Sequence, residues 1–105
     1  MSGARVQSLR PGSPDGQWRV TTTTTVFDLR AATARRAEVR LADEDWSPAL
    51  YSLSFTAEDD EESYVGRRIE VGLYLRLVLF DPAVAEQEMP RIWLGKVTSI
   101  EATTP

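Results

Sequence analysis

The chain contains no cysteine, no histidine and no asparagine. Without a thiol there is no disulfide, no thiolate zinc site and no cysteine nucleophile. Without imidazole, the commonest general base and the commonest transition-metal ligand are both missing. Without asparagine there is no acceptor for an N-linked glycan. Long apolar runs are lacking as well. No stretch reaches the roughly 18 apolar residues of a spanning helix, and the N-terminus has no apolar core of a secretory signal. A cytoplasmic chain with no membrane partner is the expectation.

Positive charge is the next scarcity. Twelve basic residues face sixteen acidic ones, for a net charge of −4, and eleven of the twelve are arginine, Lys96 being the exception. Five of the carboxylates fall in one run, Glu58, Asp59, Asp60, Glu61 and Glu62. Without that run the remainder carries 12 − 11 = +1, so the acidity is local. A chain with no basic stripe is a poor ligand for phosphate backbones, and no nucleic-acid partner is expected.

What is present is one domain's worth of ordinary globular sequence: 105 residues, 42% of them hydrophobic. The first 17 residues are rich in glycine, proline and serine with little to bury, and read as a disordered tail. That leaves residues 18–103 as a single β domain. A core of this size buries about 60–65% of its unfolded surface and has a thin stability margin, which self-association would widen.

Periodicity assigns the class. In "RRIEVGLYLRLVLFD", Ile69, Val71, Leu73, Leu75, Leu77 and Leu79 occupy every second position, which is a strand and not a helix. A strand of about twelve residues in so small a domain has to bend, and Gly72 is the expected bend. "WRVTTTTTVFDLR", Trp18–Arg30, reads as the first strand, its threonines suiting the pleat. Its inward parity changes between Val20 and Phe27, so a bulge is expected near Val26. "RRAEVRL", "ALYSLSFTA" with Tyr51, Leu53 and Phe55 inward, and "RIWLGKVTSIEA" supply three more strands. "DPAVAEQEMP" begins with Asp81 and Pro82 in helix-starting positions, for one short helical turn. The expectation is all-β: a small five-stranded antiparallel barrel or strongly bent meander, SH3-like first and OB-like second.

Candidate sites are few. The acidic run lacks the spacing and the glycine of a calcium loop. It reads as a solvated loop and a docking surface for an arginine-rich partner. Trp46, in "DEDWSP", sits on a loop between acids and is a candidate contact anchor. Tyr74, Val78 and Phe80 lie opposite the leucine row, so they are either covered by a bent sheet or meet a partner. "LGKVTS" has the Gly-Lys of a phosphate loop, but Val97 follows and no earlier glycine is in register. Asp28, Glu70 and Glu101 each fall on a strand and would serve acid–base chemistry only if they converged. No catalytic residue, metal ligand or cofactor is assigned.

The blocks "WRVTTTTTVFDLR" and "LGKVTSIE" together resemble small actinobacterial all-β proteins that open on a Trp-x-Val-x-Thr strand and close on a Val-x-Ser-Ile strand. The resemblance covers about twenty residues; it implies the fold and no activity. The functional expectation is a non-enzymatic protein-interaction or structural module, with a homodimer plausible. Its contact surface would combine Trp46, Glu58–Glu62, Tyr74 and Phe80. An immunity- or antitoxin-like inhibitor, and a phage or secretion assembly subunit, are variants of that expectation. The alternative of a different class is a small-ligand-binding barrel or minor enzyme, for which a pocket above about 300 Å³ with converging polar groups would speak.

Overall fold

Alternating sequence becomes alternating burial in the computed structural model, which describes residues 4–9, 16–31, 37–42, 44–46, 50–59 and 64–103. Ten strands account for most of them, all antiparallel, with a single 3₁₀ turn at Glu86–Glu88 and no α-helix among the described residues. The strands are β1 (Arg5–Val6), β2 (Ser8–Leu9), β3 (Gln17–Thr22), β4 (Val26–Ala31), β5 (Ala37–Leu41), β6 (Leu50–Glu58), β7 (Tyr64–Gly66), β8 (Ile69–Glu70), β9 (Tyr74–Leu79) and β10 (Arg91–Thr103). The all-β expectation holds; the count of five strands does not.

Two long strands read from the sequence are each divided by a turn. Trp18–Arg30 is a hairpin and not a bulged strand, with Trp18 opposite Leu29 and Val20 opposite Phe27. Partners across a hairpin share a face, which is why the inward parity changes without any bulge at Val26. The turn is made by threonine hydroxyl chemistry. The Thr22 hydroxyl accepts the Thr24 and Thr25 amides at 3.2 and 3.1 Å, and the Thr22 amide donates to the Thr25 carbonyl at 2.8 Å. In the second case the chain breaks at Gly72, whose φ of 94° suits glycine. Leu73 N donates to Glu70 O at 3.1 Å to close that turn. The expected bend is therefore at Gly72, but it separates β8 from β9 instead of curving one strand.

The main sheet runs β1-β10-β3-β4-β5-β6-β7, and β9 bridges β6 and β10. Pairing thus returns on itself, but by strands that change partner. β6 meets β5 through Leu50–Ser52 and β9 through Ser52–Glu58. β10 meets β9 through Arg91–Lys96 and β3 through Val97–Thr103. The sheet is strongly bent and not a closed barrel. Its inner face holds Val20, Phe27, Leu75, Leu77, Val97 and Ile100, all buried, with Trp18, Leu29 and Phe55. Removing that apolar surface from water, at about 25 cal/mol per Å², is what holds the sheet bent.

Residues 4–9 correct the reading of the N-terminus as tail. Arg5 and Val6 pair with Glu101 and Ile100, Ser8 and Leu9 pair with Glu70 and Ile69, and Leu9 joins the core. Residues 10–15 lie outside the described residues, as do Asp60–Glu62 of the acidic run and the side chains of Tyr51 and Leu53. Among the described residues no helix is long and apolar enough to cross a membrane.

Candidate functional site: an apolar cleft with an acidic lip

The inner row of β10 keeps facing inward only because the strand slips twice. Register shifts fall between Trp93 and Gly95 and between Val97 and Ser99. Ile92 and Leu94 lie on one parity, Val97 on the other, and Ile100 on the first again, yet all four line the interior. Gly95 makes the first slip, with φ near 90°. A Cβ there would lie 2.9 Å from Thr23 Oγ1 and 3.0 Å from Thr24 Oγ1. The threonine turn is fastened to the same place: Thr24 Oγ1 donates to Leu94 O at 2.8 Å, and Thr22 Oγ1 donates to that carbonyl as well.

The inner face is not covered everywhere. A cleft of about 420 Å³ lies between the β4–β5 and β9–β10 layers. Four strands supply its walls: Phe27 from β4, Val39 and Leu41 from β5, Leu77 and Leu79 from β9, and Ile92 and Leu94 from β10. Among the described residues β5 pairs with β6 as far as Val39, and the ladder of β10 with β3 begins at Val97, after Ile92 and Leu94. Leu41, at the mouth, is 61% exposed.

Polar groups stand only at the lip: Thr25, Arg40, Glu44 and Asp45. Arg40 is committed elsewhere. Arg19, Asp28 and Arg40 form one row across β3, β4 and β5 on the outer face. Asp28 is fully buried there and accepts from Arg19 Nε at 2.8 Å, Arg19 Nη2 at 3.2 Å and Arg40 Nε at 3.1 Å. Burial works to raise the Asp28 pKa, but hydrogen bonds and charge from Arg19, then Arg40, outweigh it and hold the carboxyl below its usual range. Arg40 Nη1 also donates to Glu44 O at 2.6 Å.

Trp46, expected as an exposed anchor, is half-buried against this row. The Arg30 and Arg40 guanidinium carbons lie 4.3 and 4.2 Å from its ring centroid, a cation–π arrangement that ties the loop to the sheet. Arg30 is itself paired to Glu38 at 2.9 Å.

The other expected contact residues lie on a different part of the surface. Tyr74 packs edge-on to Trp93, with ring centroids 5.9 Å apart. Arg76 lies 4.6 Å from the Trp93 centroid. Glu58, first of the acidic run, is buried; its Oε2 lies 3.0 Å from Arg76 Nε as an ion pair, out of line for a hydrogen bond. Asp59 is half-buried, and Phe80 is half-buried with partners of its own. Tyr74 and Glu58 are neighbours in register, while Trp46 is held against Arg30 and Arg40. Trp93, 40% exposed, does not stand out in the sequence, because alternation groups it with buried Val97 and only the slip at Gly95 separates them.

The three strand carboxylates are engaged one by one: Asp28 by Arg19 and Arg40, Glu70 by Arg68 at 2.8 Å, and Glu101 by Arg5 at 3.3 Å. No group of three acidic side chains suited to a metal ion occurs among the described residues. Set against known protein families, curated proteins and solved structures, the chain matches none of them.

Proposed function

We propose that the chain is a non-enzymatic binding module whose working site is the apolar cleft, and that it takes a small ligand with an apolar body. The observation that carries this reading is the cleft itself: about 420 Å³, walled by aliphatic and aromatic side chains, with polar groups confined to the lip. Ligand sites have this character, about 300–1,000 Å³ of mainly apolar wall with a few polar groups to orient the guest. Isolated exposed apolar residues need no explanation, but a contiguous apolar concavity left open on a small domain does. An SH3-like layout agrees with a short helical turn before the last strand, and it is the fold reading we attach to this function.

A second reading, contact with a protein or a second copy of the chain, is favoured by Trp93, exposed on the outer face beside Tyr74 and Arg76. Tryptophan, tyrosine and arginine are the residues that dominate protein-contact energetics.

Fluorescence titration with N-phenyl-1-naphthylamine, a neutral apolar dye, tests the first reading against the second. Saturable binding at one dye per chain is expected. Leu41→Asp removes an apolar contact of about 1.5 kcal/mol and weakens binding about tenfold, whereas Trp93→Ala leaves it unchanged. No saturable binding overturns the cleft reading. So does a signal that survives Leu41→Asp and disappears in Trp93→Ala, which favours the outer face.

A further inference from the structure

Resting on the cleft reading, we propose that β10 accepts an extended, acidic peptide segment as an added antiparallel strand at residues 91–93. One apolar side chain of that segment enters the cleft. The phase of the β9–β10 ladder shows which backbone groups are free to receive it. Leu79 N donates to Pro90 O at 2.8 Å, one step beyond the pair of Val78 with Arg91, and Leu77 faces Ile92. In an antiparallel ladder alternate residues turn both their amide and their carbonyl to the same neighbour. Pro90 and Ile92 therefore address β9, and Arg91 and Trp93 address the opposite side. On that side the ladder with β3 begins at Val97, and among the described residues no strand pairs with Arg91 or Trp93. Two amides and two carbonyls thus stand along an edge, which is the template that strand addition uses.

The edge is bounded at both ends. Pro90 has no N–H to give, and past Trp93 the Leu94 carbonyl is already taken by the Thr22 and Thr24 hydroxyls. Between these stops the added strand lies opposite Arg91, Ile92 and Trp93. Its central residue shares the face of Ile92, which lines the cleft with Leu94, so an apolar side chain there points into the cleft. The residues on either side share the outer face with Arg91 and Trp93. Positive charge is available on that face. Arg91 is exposed and its guanidinium reaches only the Gln87 carbonyl, at 3.4 Å. Lys96, in register with Tyr74, is exposed and meets no carboxylate among the described residues. Arg76 is answered by Glu58. Glu44 and Asp45 stand with Arg40 across the cleft, away from the outer row. Because the outer face is wet, each acid on the added strand contributes about a two- to fivefold preference. The backbone bonds and the inserted side chain carry the rest.

The probe is a capped pentapeptide with phenylalanine at its centre, glutamate on either side and serine at both ends, displacing N-phenyl-1-naphthylamine from the full chain. Displacement is expected, and it weakens at least about twofold when lysine replaces both glutamates. Two N-methylated forms of the peptide separate backbone pairing from side-chain insertion. Methyl groups on both glutamate nitrogens, which face Arg91 and Trp93, weaken displacement about ten- to a hundredfold by removing two donors. A methyl on the phenylalanine nitrogen, which faces away from β10, leaves displacement unchanged. If the two methylated forms act alike, or the phenylalanine methyl does the greater harm, the antiparallel pairing is overturned. If the lysine form displaces the dye as well as its parent, the acidic preference is overturned. If the dye binds at one per chain and the parent peptide does not displace it, the peptide proposal falls while the cleft stands. If the dye itself does not bind, the cleft reading falls and takes this one with it.

Discussion

At the scale of single residues, Asp28 ties together the outer face of β3, β4 and β5. It is buried, it answers two arginines, and one of these also stacks on Trp46 and bonds to the chain at Glu44. Substituting Asp28→Asn keeps the shape but withdraws the charge, leaving Arg19 and Arg40 against each other. A loss of about 1.5–3 kcal/mol at pH 7 is expected by urea denaturation, the range for hydrogen bonds to charged groups. The pH dependence has a definite sign. The folded carboxyl lies below its unfolded value, near 3.9, so the folded state binds fewer protons in that interval. Its contribution is complete above about pH 4 and is lost as pH falls through the folded pKa. In Asp28→Asn that part of the acid-side decline is absent, which urea midpoints at pH 7 and pH 3 measure.

At the scale of elements, the alternation of apolar residues locates the strands from β3 onward except β7 (Tyr64–Gly66), which falls in a stretch that reads as acidic loop, and it misses the turns that divide β3 from β4 and β8 from β9. Ala37–Leu41, Leu50–Glu58 and Arg91–Thr103 fall within a few residues of the stretches read from the sequence. The Thr21–Thr25 run reads as strand because β-branched residues favour the pleat. The hairpin signals that would have corrected it, Asn-Gly or Asp-Gly, are absent. A single hydroxyl, that of Thr22, does their work instead. Thr22→Val keeps the volume and the β-branch, and strips two amides and the Leu94 carbonyl of a partner. About 1–2 kcal/mol of lost stability is expected. Amide exchange should quicken at Thr24 and Thr25 first; unchanged exchange there would mean that the turn is held by the strands alone. The cleft was not legible for a related reason. Leu77, Leu79, Ile92 and Leu94 read simply as core, and which inner residues stay uncovered depends on where β6 and β10 change partners.

At the scale of the whole molecule, the two ends of the described chain lie side by side. Arg5 is opposite Glu101, and Leu9, one strand pair away, is 4% exposed beside Ile69. An N-terminal segment that looked dispensable thus closes part of the core. Leu9→Ala is expected to cost about 2–4 kcal/mol, the range for a large-to-small core change. It should lower the urea midpoint with little change in slope, since the surface exposed on unfolding is nearly the same. An unchanged midpoint would show that β2 adds no net stability.

The division of β10 between β9 and β3, with β1 alongside, also sets an order of events during synthesis. A ribosome delivers β3, β4, β5, β6 and β9 well before the strand that joins the first of them to the last. Until Arg91–Thr103 has emerged, β3 and β9 each present an edge whose amides and carbonyls lack their final partner. The nascent chain can form hairpins but not the bent sheet, and its inner leucines wait uncovered. Folding is therefore gated by the last thirteen residues of sheet to appear, late and dominated by distant pairings, and the wait is when this chain is most exposed to misassociation.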